Sequence, residues 1–582
     1  MSKSDQFKQN LLCYGDNLTF LRNVSLFPDE SVDLIYLDPP FNSQRPYNVL
    51  FKDVDGTPSA VRIKAFDDTW QWDQDTADKL LEIQAVAPAP LVELMKALQG
   101  FLGHSEMSAY LVQMGVRLVQ LHRVLKRTGS LYLHCDPTAS HYLKMVLDAI
   151  FGAKHYLNEI TWKRSFAHSD TKQGMRRCGR IRDILLLYTK SPRYTWNPVY
   201  VPYDESYENS FYRHVEEKTG RRYQLTDLTA AKPGGDTSYE WHGRRPYKGR
   251  YWAYSKENMK QFEQEGRIVY TKSGMARYKR YLDEMPGVPV QDLWDDIPYA
   301  GAKERLGYQT QKPLELLKRI VTLSSNPGDV ILDPLCGCGT TIDAVETINR
   351  EKDEEGKRPR ARRWIGIDVT HLAIHLIKHR LTRFSPPPRY EVMGEPADLA
   401  GARFLAQKDR FQFQFWALGL VGARAWGGVE KKGADTGIDG VRYFTDDPSG
   451  KPKTMLVQVK SGHVKAGDVR DFRGVLERQK AAIGVFLTLE EPTKDMKAEA
   501  AAAGHYHSTG FHKDYPRLQL LTVTELLADP EPFSPRCLRI PAGTDLTFHK
   551  AVEYKEHDGS DGAGDLLEPT ADYETTSKSS LH

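Results

Sequence analysis

Asp38, Pro39, Pro40 and Phe41 stand in a row directly after the apolar run 32–37 (VDLIYL). A carboxylate followed by a proline carbonyl of fixed geometry offers two hydrogen-bond acceptors side by side. That pair suits an amine conjugated to a ring, which is a poor nucleophile because its lone pair is delocalised. Accepting both of its hydrogens favours a pyramidal nitrogen whose lone pair points at an electrophile. Phe41 adds a flat face for stacking a base drawn out of its helix. A plain turn after a strand uses the same residue types, so this tetrapeptide alone leaves both readings open.

A second cluster removes that ambiguity. Residues 330–341 (VILDPLCGCGTT) join an apolar strand, an acid at its end, a turn containing Gly337 and Gly339, and a Thr-Thr helix start. Glycines let backbone approach a ligand closely, and free N–H groups at a helix start bind a carboxylate. Beyond a charged segment, 364–368 (WIGID) reads as the next strand, with Asp368 at its tip suited to ribose hydroxyls. Both clusters therefore require buried parallel strands that deliver their loops to one carboxyl edge. The expectation is an α/β fold with a Rossmann-like sheet.

On these residues, 1 to about 390 resemble the permuted β class of DNA amino-methyltransferases, which includes the modification subunits of Type III restriction systems. Further matching stretches are CYGDNLTFL with Asp16, LYLHCD at 131–136, and TQKP with Gln311, Lys312 and Pro313. Leu335 stands where the family often has Phe, and Cys338 where it often has Ser. The resemblance implies a mixed seven-stranded sheet, S-adenosylmethionine as methyl donor, and catalysis by Asp38, Pro39, Pro40 and Phe41. It places Asp16, Gln311, Lys312, Pro313, Asp333, Pro334, Cys336, Gly337, Gly339, Thr340, Thr341 and Asp368 around the donor, with 311–313 opening a helix that closes over it. Family pattern, rather than derivation, makes adenine N6 the expected target ahead of cytosine N4. No metal is needed for this step.

Between 190 and 302 the chain turns rich in Tyr, Trp, Arg, Lys and Gly, as in EWHGRRPYKGRYW at 240–252. Arginine beside aromatics suits phosphate contact, base-edge reading and stacking around a flipped base, so this stretch is expected to recognise the target sequence. Another insertion, 42–106, carries Trp70 and Trp72, expected near the mouth of the active site. His134, Cys135 and Asp136 read as scaffold at a strand end rather than metal ligands.

Past the proline hinge FSPPPRY at 384–390, an amphipathic helix at 411–421 precedes GADTGIDGVRYF at 433–444 and TMLVQVKSG at 454–462. An Asp opening one strand and a polar-x-Lys on its neighbour form the arrangement of PD-(D/E)xK nucleases. Asp439 would hold Mg²⁺, and Lys460 would orient the attacking water. Residues 400 to about 530 resemble the Mrr-type restriction endonuclease domain, with a C-terminal α/β restriction-endonuclease-like fold. Gln458 replaces the usual acid. Its carbonyl can ligate a hard cation but adds no charge, so the metal set is Asp439 and Gln458, and the catalytic set Asp439, Gln458 and Lys460. Gln412 or Gln414 is expected to complete the shell. The competing reading is a degenerate nuclease fold that only grips DNA.

At 582 residues the chain divides into a catalytic half 1–189, a recognition region 190–302, a donor-binding half 303–388, a linker 389–402, a nuclease domain 403–545 and a polar, disordered tail 546–582. Net charge is +3 and the pI near 8.3, so a DNA-binding surface must come from local clustering. Six cysteines without a CxxC pair, and no apolar leader or span, fit a reducing cytoplasm and no membrane. His505, His507 and His512 read as a solvated loop. Expected partners are double-stranded DNA, a second copy of the chain, and a separate restriction or helicase subunit. No GxxxxGK[ST] loop is present, so ATP-driven translocation would require that last partner. Three readings stay open: methyltransferase and nuclease in one chain, methyltransferase with an inactive nuclease-fold domain that binds DNA, or a modification subunit working with a separate helicase-nuclease and carrying an auxiliary fused domain.

Overall fold

The structure is a computed structural model. It describes residues 7–40, 46–52, 58–67, 70–165, 176, 178–232, 234, 237–301, 304–306, 308, 310–352, 356–426, 437–447, 449–528, 535–541 and 543–547. Phe41, residues 433–436 of the nuclease motif and the tail from 548 onward lie outside the described residues.

Nine strands form the larger sheet: β1 (Asn10–Tyr14), β2 (Val32–Leu37), β3 (Leu125–Cys135), β4 (Tyr156–Lys163), β5 (Arg182–Thr189), β6 (Leu293–Trp294), β7 (Val330–Asp333), β8 (Arg363–Asp368) and β9 (Tyr390–Met393). Across the sheet they run β6-β4-β5-β3-β2-β7-β8-β1-β9. Only β5 is antiparallel to its neighbours. The count exceeds the seven strands expected because two short strands, β6 and β9, extend the edges. β9 comes from the stretch expected as a linker, which is structured here and pairs in parallel with β1.

Every residue of β2 is buried, as expected where helices cover both faces. Ile35 and Leu37 join one core, Leu34 and Tyr36 the other. On the first face lie α1 (Glu106–Val124) and helices 74–86 and 89–102 of the first insertion. On the second lie α2 (Leu314–Ser324), α3 (Thr340–Ile348) and α4 (His371–Leu381). Trp70 and Trp72 do not cover a cleft mouth. Trp70 packs on Tyr110 of α1, and Trp72 stacks on His104 at a centroid distance of 4.3 Å.

The segment 190–302 has its own small core around Trp241, Trp252, Met259 and Met275, beside a four-stranded sheet. The C-terminal domain is a five-stranded sheet in chain order: β10 (Arg424–Ala425), β11 (Gly440–Phe444), β12 (Lys453–Lys460), β13 (Ile483–Thr488) and β14 (Leu518–Thr522). Helices α5 (Arg410–Leu420) and α6 (Ala466–Arg478) cover its two faces. His505, His507 and His512 fall on or beside a hairpin, 505–508 against 513–516, rather than in a bare loop. Among the described residues, no helix is long and apolar enough to cross a membrane.

Candidate active sites

Strand order explains how two distant motifs meet. β2 and β7 are parallel neighbours, with Leu34 opposite Ile331 and Ile35 opposite Leu332. Asp38 and Asp333 therefore leave the sheet side by side at its carboxyl edge, where open α/β sheets hold ligands. One cleft gathers Asp38, Pro40, Gln311, Lys312, Asp333, Cys336, Gly337, Thr340, Thr341 and Asp368. Of the expected donor set, Pro313, Pro334, Gly339 and Asp16 are not among its lining residues. The Asp16 carboxylate pairs instead with Arg117 at 2.8 Å.

Two glycines shape the cleft floor. Gly339 has φ +77°, and a Cβ there would lie 2.6 Å from Ile377 of α4. Gly337 has φ +49°, and a Cβ would press on the Tyr308 ring at 3.2 Å. Only glycine gives both the left-handed turn and this close packing. Asp368 ties the turn to β8: one oxygen accepts from Gly337 N at 3.0 Å, the other from Thr370 N and Oγ1 at 2.9 Å. Asp333 accepts from Thr341 Oγ1 at 2.5 Å and from Leu335 N at 3.2 Å. Burial pushes Asp333 up to about 7 and Asp368 up to about 6, in each case against these hydrogen bonds. The cleft thus holds carboxylates that lack a cation, and it suits a positively charged ligand.

Lys312 occupies a place the sequence did not suggest. Its ammonium donates to Asp38 Oδ2 at 2.6 Å rather than serving the donor loop alone. Burial pulls its pKa down, yet the charges of Asp38 and Asp183 outweigh this and the net direction is up. Gln311 is buried and braces the preceding loop, its amide bonding Leu306 N and Glu304 O, both at 2.8 Å. Pro313 caps α2. Asn17 was missed altogether: its amide donates to Pro334 O at 2.9 Å and fixes the donor loop from β1's side. A polar side chain directly after Gly15-Asp16 was the available signal.

In the C-terminal domain, Asp439 precedes β11 and its N–H bonds Val457 O at 2.9 Å, which sets it beside Gln458 of β12. Its carboxylate accepts from Val459 N at 2.7 Å and from Gln414 Nε2 of α5 at 3.0 Å. Gln458 is buried, and its Oε1 has no hydrogen-bond partner among the described residues. Lys460 follows two residues on, half-buried, on the same face of the strand. Gln412 does not join this group; its Oε1 accepts from His371 N at 3.0 Å. Among the described residues no three His, Cys, Asp or Glu cluster as a metal site.

Comparison with known proteins gives two family matches. The family described as DNA methylase matches residues 32–379, and the family described as restriction endonuclease matches 407–527. The Type II methyltransferase M.EcaI of Enterobacter cloacae is 31% identical over 278 residues, 47% of this chain and 57% of that protein. The StyLTI Mod subunit, a Type III restriction-modification enzyme of Salmonella typhimurium, is 26% identical over 356 residues, 59% of this chain and 50% of that protein. The DNA adenine methyltransferase YhdJ of Escherichia coli is 24% identical over 332 residues, 57% of this chain and 72% of that protein. The chain thus spans little more than half the length of the first two relatives.

Proposed function

Because this chain belongs to the DNA methylase family and carries a restriction endonuclease domain, we propose that it methylates adenine N6 in double-stranded DNA and that its C-terminal domain cuts DNA, in a restriction-modification role. The observation that carries the reading is the meeting of Asp38 with the glycine turn and Asp368 in one cleft. S-adenosylmethionine fits that cleft as a cation among buried carboxylates, and it supplies a methyl carbon on a sulfonium sulfur that leaves as a neutral thioether.

The protein's part is orientation. Asp38 and the Pro39 carbonyl accept the two hydrogens of the exocyclic amine, and the nitrogen lone pair, freed from the ring, forms the new bond to carbon. The nitrogen then carries a surplus proton, which passes to the Asp38 carboxylate or to water. The start of α3 faces the donor's carboxylate. Adenine is preferred over cytosine because the loop reads Asp-Pro-Pro and because a relative is named as an adenine methyltransferase. The region 190–302 is the natural reader of target sequence.

For cutting, Asp439 and the unpaired Gln458 Oε1 would hold Mg²⁺, which supplies charge neutralisation at the scissile phosphate. Lys460 would hold the attacking water. A second reading, a nuclease fold that only grips DNA, is favoured by one fact: hydrogen bonds already reach both Asp439 oxygens.

Full-length protein incubated with unmethylated DNA, labelled methyl donor and Mg²⁺ tests both halves. Label transfer lost in Asp38→Ala, and fragments lost in Asp439→Ala, are the expected results. Intact DNA with wild-type protein at every Mg²⁺ concentration would select the gripping domain, and absence of label from adenine would overturn the methyltransferase reading.

A further inference from the structure

A line of buried polar groups runs beneath the catalytic loop, and the methyl-transfer scheme does not use it. Tyr36, His134 and Asp183 sit on the adjacent strands β2, β3 and β5, at the edge that carries Asp38. The Tyr36 hydroxyl lies 2.9 Å from His134 Nδ1, and His134 Nε2 lies 3.2 Å from Asp183 Oδ2. A carboxylate can only accept, so Nε2 carries a hydrogen, and Tyr36 donating to Nδ1 completes the line. The other oxygen, Asp183 Oδ1, is buried with no hydrogen-bond partner among the described residues and forms an ion pair with Arg164 Nε at 3.5 Å. Burial pushes Asp183 up, but His134, Arg164 and Lys312 together outweigh it, so the net direction is down. A buried carboxylate oxygen met by a long ion pair alone leaves room for a closer partner.

Lys312 is the candidate for that partner. It holds Asp38 Oδ2 in this structure and also feels the charge of Asp183. An ammonium on Asp38 draws off the charge with which that carboxylate must accept an amine hydrogen. It also places a second cation beside a cationic methyl donor, an unfavourable pairing where water is excluded. A buried ammonium leaving Asp38 needs another anion.

We propose that Asp183, held in place by His134 and Tyr36, is a positioning residue: it receives the Lys312 ammonium when donor and target amine enter, and so frees Asp38 to accept. This rests on the methyltransferase reading and adds a second station for Lys312 to it.

Two experiments on the full chain test it. In single-turnover methyl transfer, Asp183→Asn lowers the rate on the order of tenfold to a hundredfold, with KM for donor and DNA within about twofold. The same change made on Lys312→Met costs nothing further, because no ammonium remains to be moved. An equal loss in both backgrounds, or no loss in either, overturns the proposal. If Asp183→Asn does not fold, Tyr36→Phe replaces it, with a smaller loss in the same direction and the same dependence on Lys312. The second experiment does not depend on turnover. A structure with double-stranded DNA and sinefungin, which carries an amine where the donor has its sulfonium methyl, is expected to show Lys312 Nζ in hydrogen-bond distance of Asp183 Oδ1. Lys312 still on Asp38 in that complex overturns the proposal. A wild-type protein that transfers no methyl group, with Lys312 nevertheless on Asp183, would count against the methyltransferase reading alone.

Discussion

The two candidate sites solve opposite electrostatic problems. In the methyltransferase cleft, Asp333 and Asp368 are buried with raised pKa values, and Lys312, which lines the same cleft, is engaged on Asp38. At the edge of the C-terminal sheet the carboxylate of Asp439 is already met by two N–H donors, and the group left over is a neutral carbonyl oxygen, Gln458 Oε1. The first site is short of positive charge and preshaped by its glycine turn. The second is short of negative charge and relies on an amide. One cleft thus suits a cationic cofactor, while the other would bind a divalent cation weakly.

The largest effects should separate the halves outright. Asp38→Ala is expected to reduce methyl transfer on the order of a thousandfold or more while leaving cutting intact. Lys460→Ala should do the reverse, and loss of both activities in either variant would mean that the sites are not independent. Next, Gly339→Ala puts a methyl group 2.6 Å from Ile377 at a left-handed φ, a strain of roughly 1–3 kcal/mol. Calorimetric titration should show a matching loss of donor affinity, with nuclease activity unchanged. An unchanged donor affinity would mean that the turn does not shape the cleft.

Gln458→Glu sharpens the comparison from the other side. Adding the missing charge should lower the Mg²⁺ concentration needed for cutting, by about tenfold. An unchanged Mg²⁺ requirement would place the metal elsewhere. The smallest effect is a pH dependence. Asp333 and Asp368 have folded pKa values, about 7 and about 6, above the ordinary 3.8. Their contribution to the stability of donor-free protein is therefore full below that ordinary value and is lost as pH rises through about 6 and 7. A cationic donor favours the ionised forms, so the rise in Tm that it causes should grow between about pH 5 and 8, and Asp333→Asn should flatten that growth.

Much of this was readable from residue order. The apolar run ending at Asp38, the turn around Gly337 and Gly339, and the β11–β12 pair with Asp439, Gln458 and Lys460 are local patterns, each legible because a strand and its loop are contiguous in sequence. Lys312 was read as part of the donor set; its bond to Asp38 joins chain segments that periodicity cannot relate. The line from Tyr36 through His134 to Asp183 hides in three strands whose pattern is otherwise apolar, so His134 read as scaffold. Trp70 and Trp72 followed the same rule: their type suggested a ligand mouth, and packing against Tyr110 and His104 claimed them first.

By itself, the sequence determined which loops carry acceptors, glycine turns and the Asp439, Gln458 and Lys460 pattern, because backbone conformation and strand burial follow from neighbouring residues. Only the tertiary structure decided who neutralises whom. The parallel pairing of β2 with β7 brings Asp38 to Asp333, the closing of α2 over the sheet brings Lys312 to Asp38, and the packing of α5 brings Gln414 to Asp439. Charge and hydrogen-bond partners act over a few ångströms of space, and that proximity is set by sheet order rather than by distance along the chain.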